Sequence, residues 1–415
     1  MQDIALYRQL LGLNTPWTVT RVELKVKEQR VEVWAGHADA VRWTCPECAT
    51  DLPLYDHAEE RAWRHLDSCQ FQTYLHARPP RVDCPMHGVR QVRLPWAEPR
   101  ARFTTLFERL AIDVLRETDV QGATRILGIS WEEAWEIKRR AVARGRARRR
   151  PHVPARLGID ETAVARGHDY LTLVCDLETG TVEYLADERK QASLDGYFTG
   201  LTPAQRAQIQ AVAMDMWEPY VQSVQAYVPQ ADGKIVFDVF HILQHMNQAV
   251  DQVRRREHRR LRAQGDETLT GSKYVWLYGE ENVPDRHWER FTELTRRRSR
   301  PPLKTARAWA LKESLRDLWR CRTRLAADEQ WRWWYGWASR ARLAPVLEVA
   351  RMIKRHLPNV LTYFRHRITN AMSEGIASQI QALKKAANGF RNRDHFKTAI
   401  YFHCGGLDLY PNLTH

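Results

Sequence analysis

In TVTRVELKVKEQRVEVW, residues 18–34, Val22, Leu24 and Val26 alternate with charged residues, and Val31 and Val33 resume the alternation. A period of two predicts strands, and Ile4 to Leu11 ahead of them reads as a short helix. At Phe103 the period lengthens. Leu106, Leu110 and Val114 in FTTLFERLAIDVLRE lie on one stripe at four-residue spacing, which predicts an amphipathic helix. VQGATRILGISWEEAWEIKRR then reads as helix, turn, helix. Ile126 and Leu127 end a short helix, Gly128 permits the turn, and Ser130 with Glu133 makes a capping box that opens the next helix. A helix-turn-helix fits this pattern, as does an ordinary helical hairpin. RGRARRRPHVP follows as a basic, proline-marked linker.

Beyond the linker the alternation returns. Leu157 to Asp160, Tyr170 to Cys175 and Thr181 to Leu185 read as strands, the last two joined by a turn at LETG. A polar stretch with a helix leads to the apolar run Val212, Ala213 and Met214, which stops at Asp215 before a helix from about Glu218. KIVFD at 234–238 is a further strand and Phe240 opens a long helix. Antiparallel strands followed by alternating helix and strand give an α+β order with a mixed sheet. Helical stretches dominate the next hundred residues, which hold half of the tryptophans. The last helix carries the stripe Met372, Ile376, Ile380, Leu383 and Ala387, with Glu374, Ser378, Gln381 and Lys385 on its other side. The expected segments are 1–98 (strand-rich), 99–150 (helix-turn-helix and linker), 151–245 (mixed sheet), 246–365 (helical, Trp- and Arg-rich) and 366–415 (the helix of Glu374).

Charge narrows the function. The 415 residues carry 64 Lys and Arg against 50 Asp and Glu, a net +14, which points to a polyanion: nucleic acid first, an anionic membrane surface second. No run of 18 or more apolar residues exists to span a bilayer, and MQDIALYRQLLGL lacks the order of a secretory signal, so a cytoplasmic protein is expected. Seven cysteines, an odd number, argue against a disulfide framework. Lys138, Arg139, Arg140 and Arg144 make the far end of the third helix basic, and Arg146, Arg148, Arg149 and Arg150 extend the charge along the linker. With Lys384, Lys385 and Arg391 these are the expected contacts to double-stranded DNA. RRREHRRLR, with six Arg in nine positions, reads as a solvated helix face or a further phosphate contact. The bunched tryptophans read first as core.

Two sets of residues carry chemistry. CPEC at 45–48 and CPMH at 84–87 are short knuckles on strand-rich sequence, and Cys45, Cys48, Cys84 and His87 make a four-ligand site that favours structural Zn²⁺. His57 and His65 are rivals for the fourth position. The second set is acidic. Asp160 and Asp215 end apolar strands, Asp238 ends a third with His241 one turn on, and Glu374 lies near a helix start. Each has an ordinary reading, a helix cap for Asp215 above all. Carboxylates from two adjacent strand ends and a helix packed on the same sheet edge converge on hard cations, Mg²⁺ or Mn²⁺, and two such ions suit phosphodiester cleavage. Glu161 neighbours Asp160 but points to the opposite face of its strand.

GIDET at 158–162, HDYLTLVCDLETG, AVAMDMWEPY, FDVFHILQ and NAMSEGIASQIQALKKAANGFRN, in that order, resemble the ISL3 family of bacterial insertion-sequence transposases. CPEC, RAWRHLD, CPMH and the helix-turn-helix extend the resemblance over nearly the whole chain. It implies a ribonuclease-H-like catalytic core of the DDE group, with Asp160, Asp215 and Glu374 as its acids. The all-helical block then becomes an insertion in that core. Asp238 and His241 match an Asp-x-x-His element found after the second Asp in related families, where the His helps to position the DNA backbone. The implied protein binds terminal inverted repeats, cleaves at the element ends with Mg²⁺ or Mn²⁺, and joins the 3′-hydroxyls to target DNA as a homodimer or larger assembly. The second knuckle departs from the pattern, a Cys-x-x-His where a pair of cysteines is expected. The alternative function is a zinc-dependent, sequence-specific DNA-binding regulator without catalysis.

Overall fold

A computed structural model describes residues 2–150, 152–165, 169–296 and 302–413. They form two compact units, Met1–Arg150 with Ala386–His415, and Pro151–Lys385. The stretch 366–415, expected as one piece, therefore divides between them. Pro151 and His168, which fall in quoted motifs, lie outside the described residues.

In the first unit a four-stranded sheet is built on the alternation seen at its start. Trp17–Lys25 pairs antiparallel with Arg30–His37, which pairs parallel with Phe71–Ala77, itself antiparallel to Arg61–Ser68. One face buries Trp17, Val33, Trp63, Leu75 and Trp96 in a single core. Three helices follow, α1 (Thr105–Glu117), α2 (Val120–Leu127) and α3 (Trp131–Arg148). Gly128 takes φ +63° at the α2–α3 turn, and Ser130 and Glu133 make both bonds of the capping box. Two expectations are corrected. The buried stripe of α1 is Phe107, Ala111 and Leu115, while Leu110 is 43% exposed. Four-residue spacing fitted both registers, and packing selected the one with the aromatic ring. The basic linker is also shorter than expected, because α3 runs on to Arg148.

The second unit is built on a five-stranded sheet. Its strands are β1 (Arg156–Ala163), β2 (Tyr170–Asp176), β3 (Thr181–Asp187), β4 (Ala211–Met214) and β5 (Ile235–Phe237), in the order β3-β2-β1-β4-β5. β1, β2 and β3 are antiparallel neighbours, whereas β4 and β5 run parallel to β1. On one face Leu157, Ile159, Val212, Met214, Ile235 and Phe237 enter a large core with α4 (Glu218–Tyr227) and α5 (Val239–Arg262). That core continues without a break into α6 (Lys304–Arg320), α7 (Arg324–Arg340) and α8 (Ala344–Arg355). Trp276, Trp309, Trp331 and Trp334 are buried in it. Two of them satisfy their indole N–H: that of Trp334 donates to Leu311 O at 2.8 Å and that of Trp309 to Tyr278 O at 3.1 Å. Glu257, inside the arginine run, accepts from the backbone N–H groups of Lys304 and Thr305 and so caps α6.

The opposite face of the sheet is lined by small residues, Ala211 and Ala213, with Val236 and Ile368. It receives α9 (Ala371–Ala386), and α10 (Arg393–Cys404) belongs to the first unit. Gly158 sets how closely α9 can lie, since a Cβ there would stand 2.0 Å from Ser373 Oγ and 3.0 Å from Asn370 Oδ1. Among the described residues no helix is long and apolar enough to cross a membrane.

Candidate active site and metal centre

The zinc question is one of donor spacing. A tetrahedral ion with Zn–S bonds of about 2.3 Å needs ligand atoms roughly 3.8 Å apart. Cys48 Sγ lies 3.6 Å from Cys84 Sγ, and His87 Nδ1 lies 3.5 Å from Cys84 Sγ and 3.9 Å from Cys45 Sγ. All four ligand atoms fall within 4.8 Å of one another, the only such group of three or more His, Cys, Asp or Glu among the described residues. The rivals are engaged elsewhere. The His57 ring bonds to His37 at 2.8 Å, and buried His65 bonds to Thr104 at 2.9 Å, its imidazole pushed down to about 4 by burial. Three thiolates and an imidazole nitrogen are a zinc donor set, and His87 completes it.

The acids are placed by strand register. Gly158 pairs with Ala213 and Met214 with Phe237 across the parallel strands β1, β4 and β5. Counting on from these pairs puts Asp160, Asp215 and Asp238 level at one edge, on neighbouring strands about 4.8 Å apart. Their local chemistry differs. Asp160 Oδ1 accepts from the N–H of Glu161 at 2.8 Å. Asp215 does serve as a turn acceptor, with Oδ1 taking the N–H of Trp217 at 2.9 Å, while Oδ2 accepts from Arg189 Nη2 at 2.8 Å. Asp238 caps α5 through the N–H of Phe240 at 3.2 Å and holds His241 Nδ1 at 2.8 Å. Glu374, in the first turn of α9, comes close enough to Asp238 and Asp160 for both carboxyls, after burial, to raise its own.

These groups shift one another's proton affinity. Burial raises the carboxyls of Asp160 and Glu374, and the neighbouring acids raise both further while His241 opposes them. The hydrogen bond that His241 Nδ1 donates to the Asp238 carboxylate raises the imidazole. The face of α9 that carries Glu374 is not a solvent face: Gln381 donates to Thr162 Oγ1 at 2.7 Å, and Lys384 to Ala163 O at 2.9 Å, along the end of β1. Glu161, next to Asp160 on β1, meets Arg189, whose Nε lies 3.1 Å from Glu161 Oε1. Sequence reasoning missed Arg189, because DERK after a strand has no periodicity that marks a site.

The expected DNA contacts are corrected for four residues, whose side chains are held within the first unit. Lys138 is buried, its ammonium 3.2 Å from His403 Nε2. Arg140 and Arg144 both pair with Glu98 and Glu108, and Arg148 bonds to Tyr410 O and the Asn412 side chain. A helix with cations on every face must turn some inward, and pattern alone does not say which. Arg139 is exposed and pairs with Glu136, Arg146 is exposed over the Tyr401 ring, Arg149 is half-buried, and Arg150, Lys385 and Arg391 are exposed.

Burial lowers the Lys138 ammonium to about 8, against 10.5 when free. Between those values the unfolded chain binds more protons, so this lysine makes stability rise with pH, by roughly 3 kcal/mol over the full window. Lys138→Met is expected to melt above wild type at pH 7, with the gap narrowing towards pH 10. Melting curves at both pH values check this, and a gap that does not narrow would refute it.

Residues 157–400 match the family model of ISL3-type DDE transposases, described as transposase. Residues 42–87 match the zinc-finger of transposase IS204/IS1001/IS1096/IS1165, and residues 92–142 the helix-turn-helix domain of transposase family ISL3. The chain is 27% identical over 359 residues to the transposase for insertion sequence element IS1001 of Bordetella parapertussis, covering 85% of this chain and 86% of that one. It is also 27% identical over 421 aligned residues to the transposase for insertion sequence element IS1557 of Mycobacterium tuberculosis (strain CDC 1551 / Oshkosh), covering 94% and 93%.

Proposed function

The chain belongs to the ISL3 family of transposases, and from that premise we propose that Asp160, Asp215 and Glu374 are the acids with which it cuts and rejoins DNA. The observation that carries this assignment is the register that sets Asp160, Asp215 and Asp238 level on three neighbouring strands, with Glu374 brought to Asp238 from α9. The sheet order β3-β2-β1-β4-β5, with β2 alone running antiparallel to the other four strands, supports a ribonuclease-H-like core. The helical block 246–365 is then an insertion between its second and last acids, and 1–98 and 99–150 are the end-recognition segments.

An oxygen-only donor set fits Mg²⁺ or Mn²⁺, and burial first, with the neighbouring acids adding to it, raises Asp160 and Glu374, a cost that a hard cation offsets. When bound, such ions activate a water or a 3′-hydroxyl and stabilise the leaving oxygen of a phosphodiester. Asp160 and Asp215 hold fixed positions because strands carry them, whereas Glu374 closes the site from a helix. Asp238 keeps the His241 proton on Nδ1, leaving the other ring nitrogen for the DNA backbone. The zinc module and helix-turn-helix recognise the terminal inverted repeats. Two ends must be held together, which calls for a dimer or larger assembly acting on DNA in the cytoplasm, at the nucleoid.

Incubating the zinc-loaded protein with a labelled inverted-repeat end, target DNA and Mg²⁺ should give cleavage at the element boundary and a strand-transfer product. Tight binding without cleavage in either Mg²⁺ or Mn²⁺ would leave a DNA-binding regulator instead.

A further inference from the structure

Arg189 bridges two acids, Asp215 at the end of β4 and Glu161 on β1. Its Nη2 donates to Asp215 Oδ2 at 2.8 Å, its Nε lies 3.1 Å from Glu161 Oε1, and its guanidinium carbon sits 4.4 Å from the centre of the Trp217 ring. The chain before it is fixed. Glu188 adopts φ +68°, a strained conformation for a residue with a Cβ. Its N–H donates to Tyr170 O at 2.8 Å and its carbonyl accepts from Thr172 Oγ1 at 2.7 Å. Buried Tyr220 completes this tie through its hydroxyl, 2.8 Å from Thr172 Oγ1. Two hydrogen bonds, the second backed by Tyr220, thus hold a strained residue in the place that presents Arg189 to the acids.

The bonding of the guanidinium is incomplete. Arginine binds a carboxylate most strongly through two parallel N–H bonds. Arg189 makes one hydrogen bond to Asp215, and its buried Nε makes none despite the nearby Glu161 carboxylate. A small rotation towards Glu161 would give the paired arrangement and release Asp215 Oδ2. Trp217 would keep the cation in place throughout, since cation–π attraction does not require one fixed direction.

We propose that Arg189 is a positioning residue that occupies Asp215 until a divalent ion arrives, and then passes to Glu161. The proposal rests on the reading of Asp215 as a metal ligand. A divalent cation and a guanidinium cannot share one carboxylate oxygen without strong repulsion, so ion binding displaces Arg189. Glu161 receives it, which gives a function to an acid outside the proposed triad. In the free protein Arg189 also keeps Asp215 pointed into the site.

The test is Mn²⁺ binding to the zinc-loaded, full-length protein without DNA, read by calorimetric titration. Arg189→Gln should bind Mn²⁺ about tenfold more tightly than wild type, and Glu161→Gln about tenfold more weakly, since removing one charge near a buried site shifts affinity on that scale. The double variant carries the decision. With Arg189 gone, Glu161→Gln should cost no more than about threefold, because its partner is absent. Equal costs with and without Arg189 would overturn the exchange, as would unchanged or weaker binding in Arg189→Gln. Asp215→Asn separates the two levels. If it alone abolishes Mn²⁺ binding and Arg189→Gln changes nothing, only the exchange fails. If Asp215→Asn leaves the titration unaltered, the metal assignment fails and the exchange with it. Should Arg189→Gln not fold, Arg189→Met, whose stem still covers Trp217, reads the same quantity.

Discussion

Asp215→Asn is expected to bind terminal-repeat DNA within about twofold of wild type and to cut it about a thousandfold more slowly or worse. Asparagine has nearly the same shape, and its side-chain oxygen can still accept the N–H of Trp217, so the entry to α4 should survive. What it lacks is charge. A neutral amide is a poor ligand for a hard cation, and the lost Arg189 pair, partly open to solvent, contributes little to stability. Binding is preserved because the zinc module and helix-turn-helix lie in the other compact unit. Asp160→Asn and Glu374→Gln should behave alike. Glu161→Gln should not: at saturating Mg²⁺ it should retain most of its cleavage rate, since its carboxylate pairs with Arg189 and is not one of the three proposed ligands. Single-turnover cleavage and DNA-binding titrations on the four variants check the set. A thousandfold loss in Glu161→Gln with Asp160→Asn active would move the first acid by one residue, and intact cleavage with lost binding in Asp215→Asn would remove it from the chemistry.

How much of this could be read from the sequence depended on whether the signal was local. The strands that lead to Asp215 and Asp238 were legible because an apolar run that stops at an acid is a short-range pattern, and both stop there, whereas β1 runs past Asp160 to Ala163, because its pairing with β2 continues beyond the apolar run. The capping box at Ser130 was legible for the same reason. Glu374 showed itself only as a polar-face acid. That its face is turned to the end of β1 depends on Gly158 admitting α9 closely, a contact between residues more than 200 apart in sequence. Lys138, Arg140, Arg144 and Arg148 were misjudged for a related reason. Their partners Glu98, Glu108, His403 and Tyr410 come from other elements, and α10 folds back onto α3 from the far end of the chain. Arg189 escaped because its meaning lies in two acids brought together by the sheet.

Removing the zinc site should do to recognition what Asp215→Asn does to chemistry. Cys84→Ser, or prolonged chelation of the wild type, is expected to release about one equivalent of Zn²⁺ and weaken terminal-repeat binding about a hundredfold or more. The magnitude follows from the structural role: binding of zinc to such small sites contributes on the order of 10 kcal/mol, most of it realised as folding. Here the ion would join two knuckles that no strand pairing connects, since Arg42–Thr44 and Asp51–Pro53 pair with each other and Cys84 closes a separate three-stranded sheet, although Trp43, Cys45, Val82 and Cys84 share one core. Without it Cys45 and Cys84, both buried, lose their shared partner, and the packed Trp17, Trp43 and Trp96 rings beside them loosen. The sheet of the second unit shares none of these residues and should keep its melting transition. Limited proteolysis should therefore cut first within residues 1–98, and readdition of Zn²⁺ to the chelated wild type should restore both protection and binding. Unchanged DNA affinity in a zinc-free protein would show that the helix-turn-helix recognises the repeats alone, and would leave the cluster as a fold-stabilising element without a part in recognition.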